Sequence, residues 1–238
     1  MRQGSGVDVA TEDILCPGGM PAFLALPEET EGRLPIVVLM HERYGLVQHT
    51  RDLAVKCAAD GFLTIAPNFF FKHPDQAALN AGEGRYELGD VESSGYLRQT
   101  LAMLSNHPAA DMTRIAVAGY CQTGRHPLVF AADENITAAV VWYGAASPRE
   151  WAVTPTQPRS LADILSKVRC PVFGAFGALD HIISIDDVRC SATRSKTPAR
   201  AMISASMSRL PTAGSTTRCR GAIARPKPKP DGRRSRRS

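Results

Sequence analysis

Ile115-Ala-Val-Ala-Gly119-Tyr120-Cys121-Gln122-Thr123-Gly124-Arg125 is the stretch that decides the fold. Ile115 to Ala118 are apolar on both faces, as in a strand covered by helices on either side. Gly119 ends the run. A helical segment is expected at Thr123 to Ala132, with Pro127 confined to the first turn, where proline is tolerated. A cysteine therefore sits at a strand-to-helix junction, where a sharp turn lifts a side chain above the sheet. The helix start behind it should lower the thiol pKa and steady an oxyanion, with the Gln122 amide as first donor. The other reading of Cys121 is a thiol that merely packs, the usual fate of a buried cysteine. Cys16, Cys57, Cys170, Cys190 and Cys219 are given that reading.

Outward from this stretch the same alternation recurs. Ile36 to Met40, preceded by Gly32 and Pro35, and Phe62 to Ala66, Ala138 to Trp142 and Pro171 to Phe176, ended by or near proline or glycine, are short apolar runs. Helical spacing lies between them, in Leu53, Ala54, Cys57 and Ala58, and in Leu97, Leu101 and Leu104. Strands alternating with helices predict an α/β fold, doubly wound on a mostly parallel sheet flanked by helices.

The pattern stops near Arg189. Residues 190–238 carry 13 Lys and Arg against the single acid Asp231, hence +12, and the first 189 residues supply −7 to the net +5. The basic stretch has no aromatic residue and is rich in Ser, Thr, Arg and Pro. Such a composition buries too little apolar surface to offset its ordering entropy. The expected organisation is a folded domain over 1–189 and a basic, disordered tail over 190–238, at most a frayed helix near Ala199 to Leu210. Either a basic extension or a coding sequence read out of frame would produce this shift.

Several classes are excluded by what the chain lacks. No signal-peptide core and no run of about 18 apolar residues occurs, so a cytoplasmic protein with reduced thiols is expected. The six cysteines form no C-x-x-C pair, and no clustered ligand set points to a metal. Gly82-Glu-Gly84 lacks the Lys-Ser/Thr of a phosphate loop, and no G-x-G-x-x-G follows a strand, so no cofactor is expected.

The motifs have a recognisable order. Gly119-Tyr120-Cys121-x-x-Gly124-Arg125 resembles the G-Y-C-x-G-G motif of the dienelactone hydrolase family. His41-Glu42-Arg43-Tyr44-Gly45-Leu46 is similar to that family's H/Q-E-x-[FY]-G signature, and Arg51 to Pro67 to its next helix and strand. Phe176-Gly177-Ala178-Leu179-Asp180 resembles the element that carries the acid of a catalytic triad. The resemblance implies an α/β-hydrolase whose C-terminal part is incomplete, acting on small esters or lactones like a carboxymethylenebutenolidase. It implies Cys121 as nucleophile, Glu42 as the group that holds or deprotonates the resting thiol, and Asp180 as the acid that orients a histidine. Backbone amides of Gln122 and Arg43 would form the oxyanion hole. The alternative for Glu42 is a solvated carboxylate, against which stands its place just past a buried strand, where active-site loops sit. The lesser alternative for Asp180 is a turn or N-cap residue before Ile182.

Two positions depart from the family. Thr123 stands where the motif has glycine, and a β-branched residue there is expected to strain the turn. The window that should hold the histidine partner, Ser204 to Thr217, holds none, and the last histidine of the chain is His181, beside Asp180. His181 is read as a surface loop residue, and His126 as packed on the following helix. Arg85 and Arg98 are read as solvated helix arginines that could otherwise meet a carboxylate substrate. Loss of the base–acid of a triad costs several orders of magnitude in rate, so impaired turnover is expected. The competing reading is an inactive homologue whose basic tail binds polyanions through charge alone. Lacking aromatic residues for stacking, it would show no sequence-specific nucleic-acid binding.

Overall fold

The computed structural model describes residues 7–194 and 199–204. Its frame is one eight-stranded sheet, whose strands in spatial order are Val9–Cys16 (β1), Met20–Pro27 (β2), Leu63–Pro67 (β4), Leu34–Met40 (β3), Ala110–Tyr120 (β5), Ala138–Trp142 (β6), Val172–Gly177 (β7) and Ala199–Ser204 (β8). Five strands match the apolar runs of the sequence: β3 (Leu34–Met40), β4 (Leu63–Pro67), β5 (Ala110–Tyr120), β6 (Ala138–Trp142) and β7 (Val172–Gly177). They pair in parallel throughout. The sequence reading did not resolve β1 (Val9–Cys16) and β2 (Met20–Pro27), which form an antiparallel hairpin whose second strand pairs antiparallel with β4. The mixed polarity of Val9–Cys16 and the prolines at both ends of β2 hide their period.

Side-chain alternation explains why both faces of the central strands are apolar. Ile36, Val38 and Met40 of β3 face a core shared with Leu97 and Phe130, and Val37 and Leu39 face one shared with Ala54 and Ala58. The second core is closed by α1 (Gln48–Ala59); the first is closed by α3 (Asp90–Leu104) and α4 (His126–Asp133), with Leu79 of the short α2 (Gln76–Ala81) also buried in it. Full burial of a leucine such as Leu97 stabilises the fold by about 2 kcal/mol. A third cluster packs α4, α5 (Leu161–Leu165) and Val188 of α6 (Ile185–Arg194) under β6 and β7. Helices on both faces of a mostly parallel sheet make this the doubly wound α/β arrangement.

The structure corrects the sequence reading in two places. The segment after β5 does not enter an α-helix at once. Cys121–Arg125 form a 3₁₀ turn, and α4 begins only at His126, with Pro127 in its opening positions. Residues near Ala199, expected as disorder or a frayed helix, include a strand: β8 (Ala199–Ser204) pairs in parallel with β7. The free edge of β7 supplies a complete row of backbone partners, and a ladder needs no aromatic residue to form. The rest of the predicted tail, 205–238, lies outside the described residues. Among the described residues no helix is long and apolar enough to cross a membrane.

Candidate active site

The carboxyl ends of β3, β5, β6 and β7 lie side by side, because these strands are parallel neighbours. Crevices at such ends are where open α/β sheets place their ligand sites. Glu42 and Arg43 follow β3, Cys121 follows β5, Tyr143 follows β6, and Asp180 follows β7.

Cys121 is half-buried and adopts φ 50°, the left-handed region that non-glycine residues rarely occupy. The tightness of the turn shows at Gly119, where a Cβ would collide with the Thr123 carbonyl and lie 2.9 Å from the Pro127 ring. Thr123, expected to strain the turn, ties it down instead. Its buried hydroxyl oxygen accepts from the Tyr120 N–H at 3.1 Å and lies 2.8 Å from the His41 carbonyl, to which it donates. The elbow is thereby bonded to the end of β3, and the positive φ falls on Cys121 rather than on Thr123.

The thiol is less acidic than the sequence reading expected. Burial pushes its pKa up, and this outweighs the Gln122 backbone N–H that bonds the sulfur. The Glu42 carboxylate pushes the same way, while Arg149 and Arg43 pull it down. With α4 starting five residues later, no α-helix begins at the sulfur to reverse the balance.

Glu42 stands beside this thiol, half-buried, with Oε1 accepting a 2.6 Å hydrogen bond from the Tyr143 hydroxyl. Its backbone is fixed from below. His41 is fully buried, its Nδ1 donates to the Glu42 carbonyl at 2.7 Å, and its Nε2 accepts from the Phe69 N–H at 2.9 Å. Only the neutral ring satisfies both bonds, and burial lowers its pKa to about 4. The Arg43 guanidinium donates to the Gly82 carbonyl at 2.6 Å.

Asp180 stands just past the end of β7, where the sequence reading put it. Its Oδ1 accepts from the Ile182 and Ile183 amides at 2.7 and 3.1 Å, so the carboxylate caps its own turn. It lies two strands along from the elbow, and His181 beside it is exposed. Arg98 pairs with Glu134 at 2.7 Å on the surface, and Arg85 is exposed. His126 is buried against Ser93, its Nδ1 lying 2.8 Å from Oγ. Tyr143 and Arg149 were not singled out in the sequence. The available signal for Tyr143 was its position, one residue past the end of an apolar run in a parallel sheet.

Residues 20–203 match the dienelactone hydrolase family. A protein of Escherichia coli O157:H7 named "Putative carboxymethylenebutenolidase" is 31% identical over 178 residues, 71% of this chain and 63% of that one. Its counterpart in Escherichia coli K12 is 30% identical over the same shares. The chain thus spans less than two thirds of the length of these relatives. A crystal structure described as a "Putative Dienelactone Hydrolase" of Klebsiella pneumoniae superposes with a TM-score of 0.72 at 27% identity, covering 82% of this chain and 85% of that one. The elbow cysteine, the loop after β3 and the sheet order thus occur in a chain that belongs to the dienelactone hydrolase family.

Proposed function

We propose that this chain performs thiol-dependent acyl transfer from small esters or lactones, with Cys121 as nucleophile. One observation carries the reading: the Cys121 sulfur stands half-buried at a positive-φ elbow, bonded by the Gln122 N–H and flanked by Glu42. The Cys121 sulfur attacks the carbonyl carbon while its proton passes to Glu42. The ester C–O bond then breaks, and the leaving alkoxide takes that proton. Backbone amides of Gln122 and Arg43 are the donors for the oxyanion. Water must then hydrolyse the thioester, returning the thiol and releasing the acid.

The second step is the weak one. Asp180 caps a turn and His181 is exposed, so neither supplies a base that activates water at the thioester. Acylation therefore outruns deacylation in this chain. No metal or cofactor enters the scheme. Among the described residues no cysteine is in a disulfide, which suits a reducing compartment, and we place the protein in the cytoplasm.

The test is a stopped-flow assay with p-nitrophenyl acetate. A burst of one nitrophenolate per chain, followed by slow turnover and a +42 Da mass on the Cys121 peptide, is expected. No burst above a Cys121→Ala control would overturn acyl chemistry. Sustained turnover far above that control would overturn the weak second step.

A further inference from the structure

Among the described residues, the non-glycine residues with positive φ are Cys121, Tyr143 and Ala145. They meet at one place. Gly144 lies against the elbow so closely that a Cβ on it would sit 2.5 Å from the Cys121 carbonyl oxygen and 2.9 Å from Gly124 Cα. The Tyr143 N–H donates to the Ala175 carbonyl of β7 at 2.7 Å. The backbone of Tyr143 is thus held between β7 and the elbow, at φ 41°, a strained conformation for a non-glycine residue. Such strain persists where the surrounding packing fixes the residue, and here the phenol bonds Glu42.

We infer that Tyr143 is a positioning residue that holds the Glu42 carboxylate beside Cys121 and tempers its charge there. The charged and titratable groups acting on the sulfur are Glu42 and Arg43 from the loop after β3, Arg149 from the turn after β6, and Tyr143 itself. Tyr120 also faces Glu42. A carboxylate beside a thiol disfavours the thiolate. The short hydrogen bond from the phenol draws charge from Oε1 and limits rotation of the side chain. Removing the hydroxyl leaves a bare, half-buried carboxylate whose field reaches the sulfur with less compensation. This inference rests on the proposed function only in taking Cys121 as an accessible thiol.

The test is alkylation of the full chain by iodoacetamide between pH 6 and pH 10, read on the Cys121 peptide by mass spectrometry. Tyr143→Phe, Glu42→Gln and the double variant are compared with the parent chain. Tyr143→Phe should slow labelling at pH 7.5 by roughly 3- to 10-fold and move its midpoint to higher pH by up to about one pH unit, which corresponds to a factor of about ten. Glu42→Gln should speed labelling, and in its background Tyr143→Phe should change the rate less than twofold. An unaltered profile in Tyr143→Phe, or the same slowing in both backgrounds, overturns the inference. If Tyr143→Phe fails to fold, Glu42→Gln breaks the pair from the other side, and an unchanged rate there is decisive against it. A Cys121 that labels only after denaturation removes the accessible nucleophile, and with it both readings.

Discussion

Arg125 grips Asp90 in a two-pronged fork, Nε to Oδ1 at 2.8 Å and Nη2 to Oδ2 at 3.0 Å, with both side chains sealed from solvent. The same guanidinium reaches the Glu150 carbonyl at 3.1 Å and its Oε2 at 3.3 Å. One side chain at the end of the elbow turn thus ties together the start of α3 and the turn that carries Arg149. Two buried carboxylates depend on it. Arg125→Ala should cost about 3–5 kcal/mol, because the buried Asp90 loses its fork of donors and Glu150 keeps only Arg149. Arg125→Lys should recover only part of that, since an ammonium lacks the planar fork. Urea unfolding at pH 7.5 measures both. A loss below about 1 kcal/mol for the alanine variant would show that the network relaxes without its arginine.

Thr123 gives a second prediction. Its hydroxyl oxygen accepts the Tyr120 N–H and donates to the His41 carbonyl. Thr123→Val keeps the shape and removes both bonds, so about 1–3 kcal/mol of stability should go. Thr123→Gly loses the same bonds and adds backbone freedom, and should be no more stable than Thr123→Val. The measurement is the urea midpoint with the slope unchanged. A Thr123→Gly chain more stable than the parent would mean that the threonine strains the elbow after all.

The gap between expectation and structure at Thr123 has a physical cause. A β-branched residue in a tight turn predicts strain when only local sterics are counted. The carbonyl to which its hydroxyl donates belongs to His41, just past the end of β3 and 82 residues away in sequence, and no local rule contains it. The central strands were legible because each carries its own period, and Cys121 because it stands at the junction of two periods. Glu42 and Cys121 were paired through a family resemblance, and the structure places them together at adjacent strand ends. Tyr143 was illegible for the opposite reason. Its role depends on a φ of 41° and a bond to Glu42 spanning 101 positions, neither of which alters local composition. Strand β8 was illegible because its ladder partner, not its own sequence, makes it a strand.

The buried histidines set a pH dependence. Burial lowers the pKa of His41 and of His126 to about 4, from an ordinary 6.5. The unfolded chain therefore binds more protons than the folded chain between about pH 6.5 and pH 4. Stability rises with pH wherever the unfolded state holds more protons. The contribution is fully present above pH 6.5 and is lost as the pH falls toward 4. Near pH 5 the two rings together should give a slope of about 2 kcal/mol per pH unit. Urea midpoints at pH 7.5, 6.5, 5.5 and 5.0 check this. A flat profile between pH 6.5 and pH 5 would mean that at least one ring is protonated in the fold.

Asp180 provides the sharpest separation between capping and catalysis. A triad acid works by orienting a histidine, and its loss then costs orders of magnitude in rate. Here its Oδ1 receives two backbone amides of its own turn, and the adjacent histidine is exposed. Asparagine serves as a turn cap about as well as aspartate, while alanine does not. Asp180→Asn should therefore leave both the nitrophenolate burst rate and the urea midpoint within about twofold and about 0.5 kcal/mol of the parent. Asp180→Ala should lose about 1 kcal/mol of stability with the burst rate still unchanged. A burst slowed a hundredfold in Asp180→Asn, at unaltered stability, would mean that this carboxylate does orient a base, and the weak second step proposed for this chain would have to be abandoned.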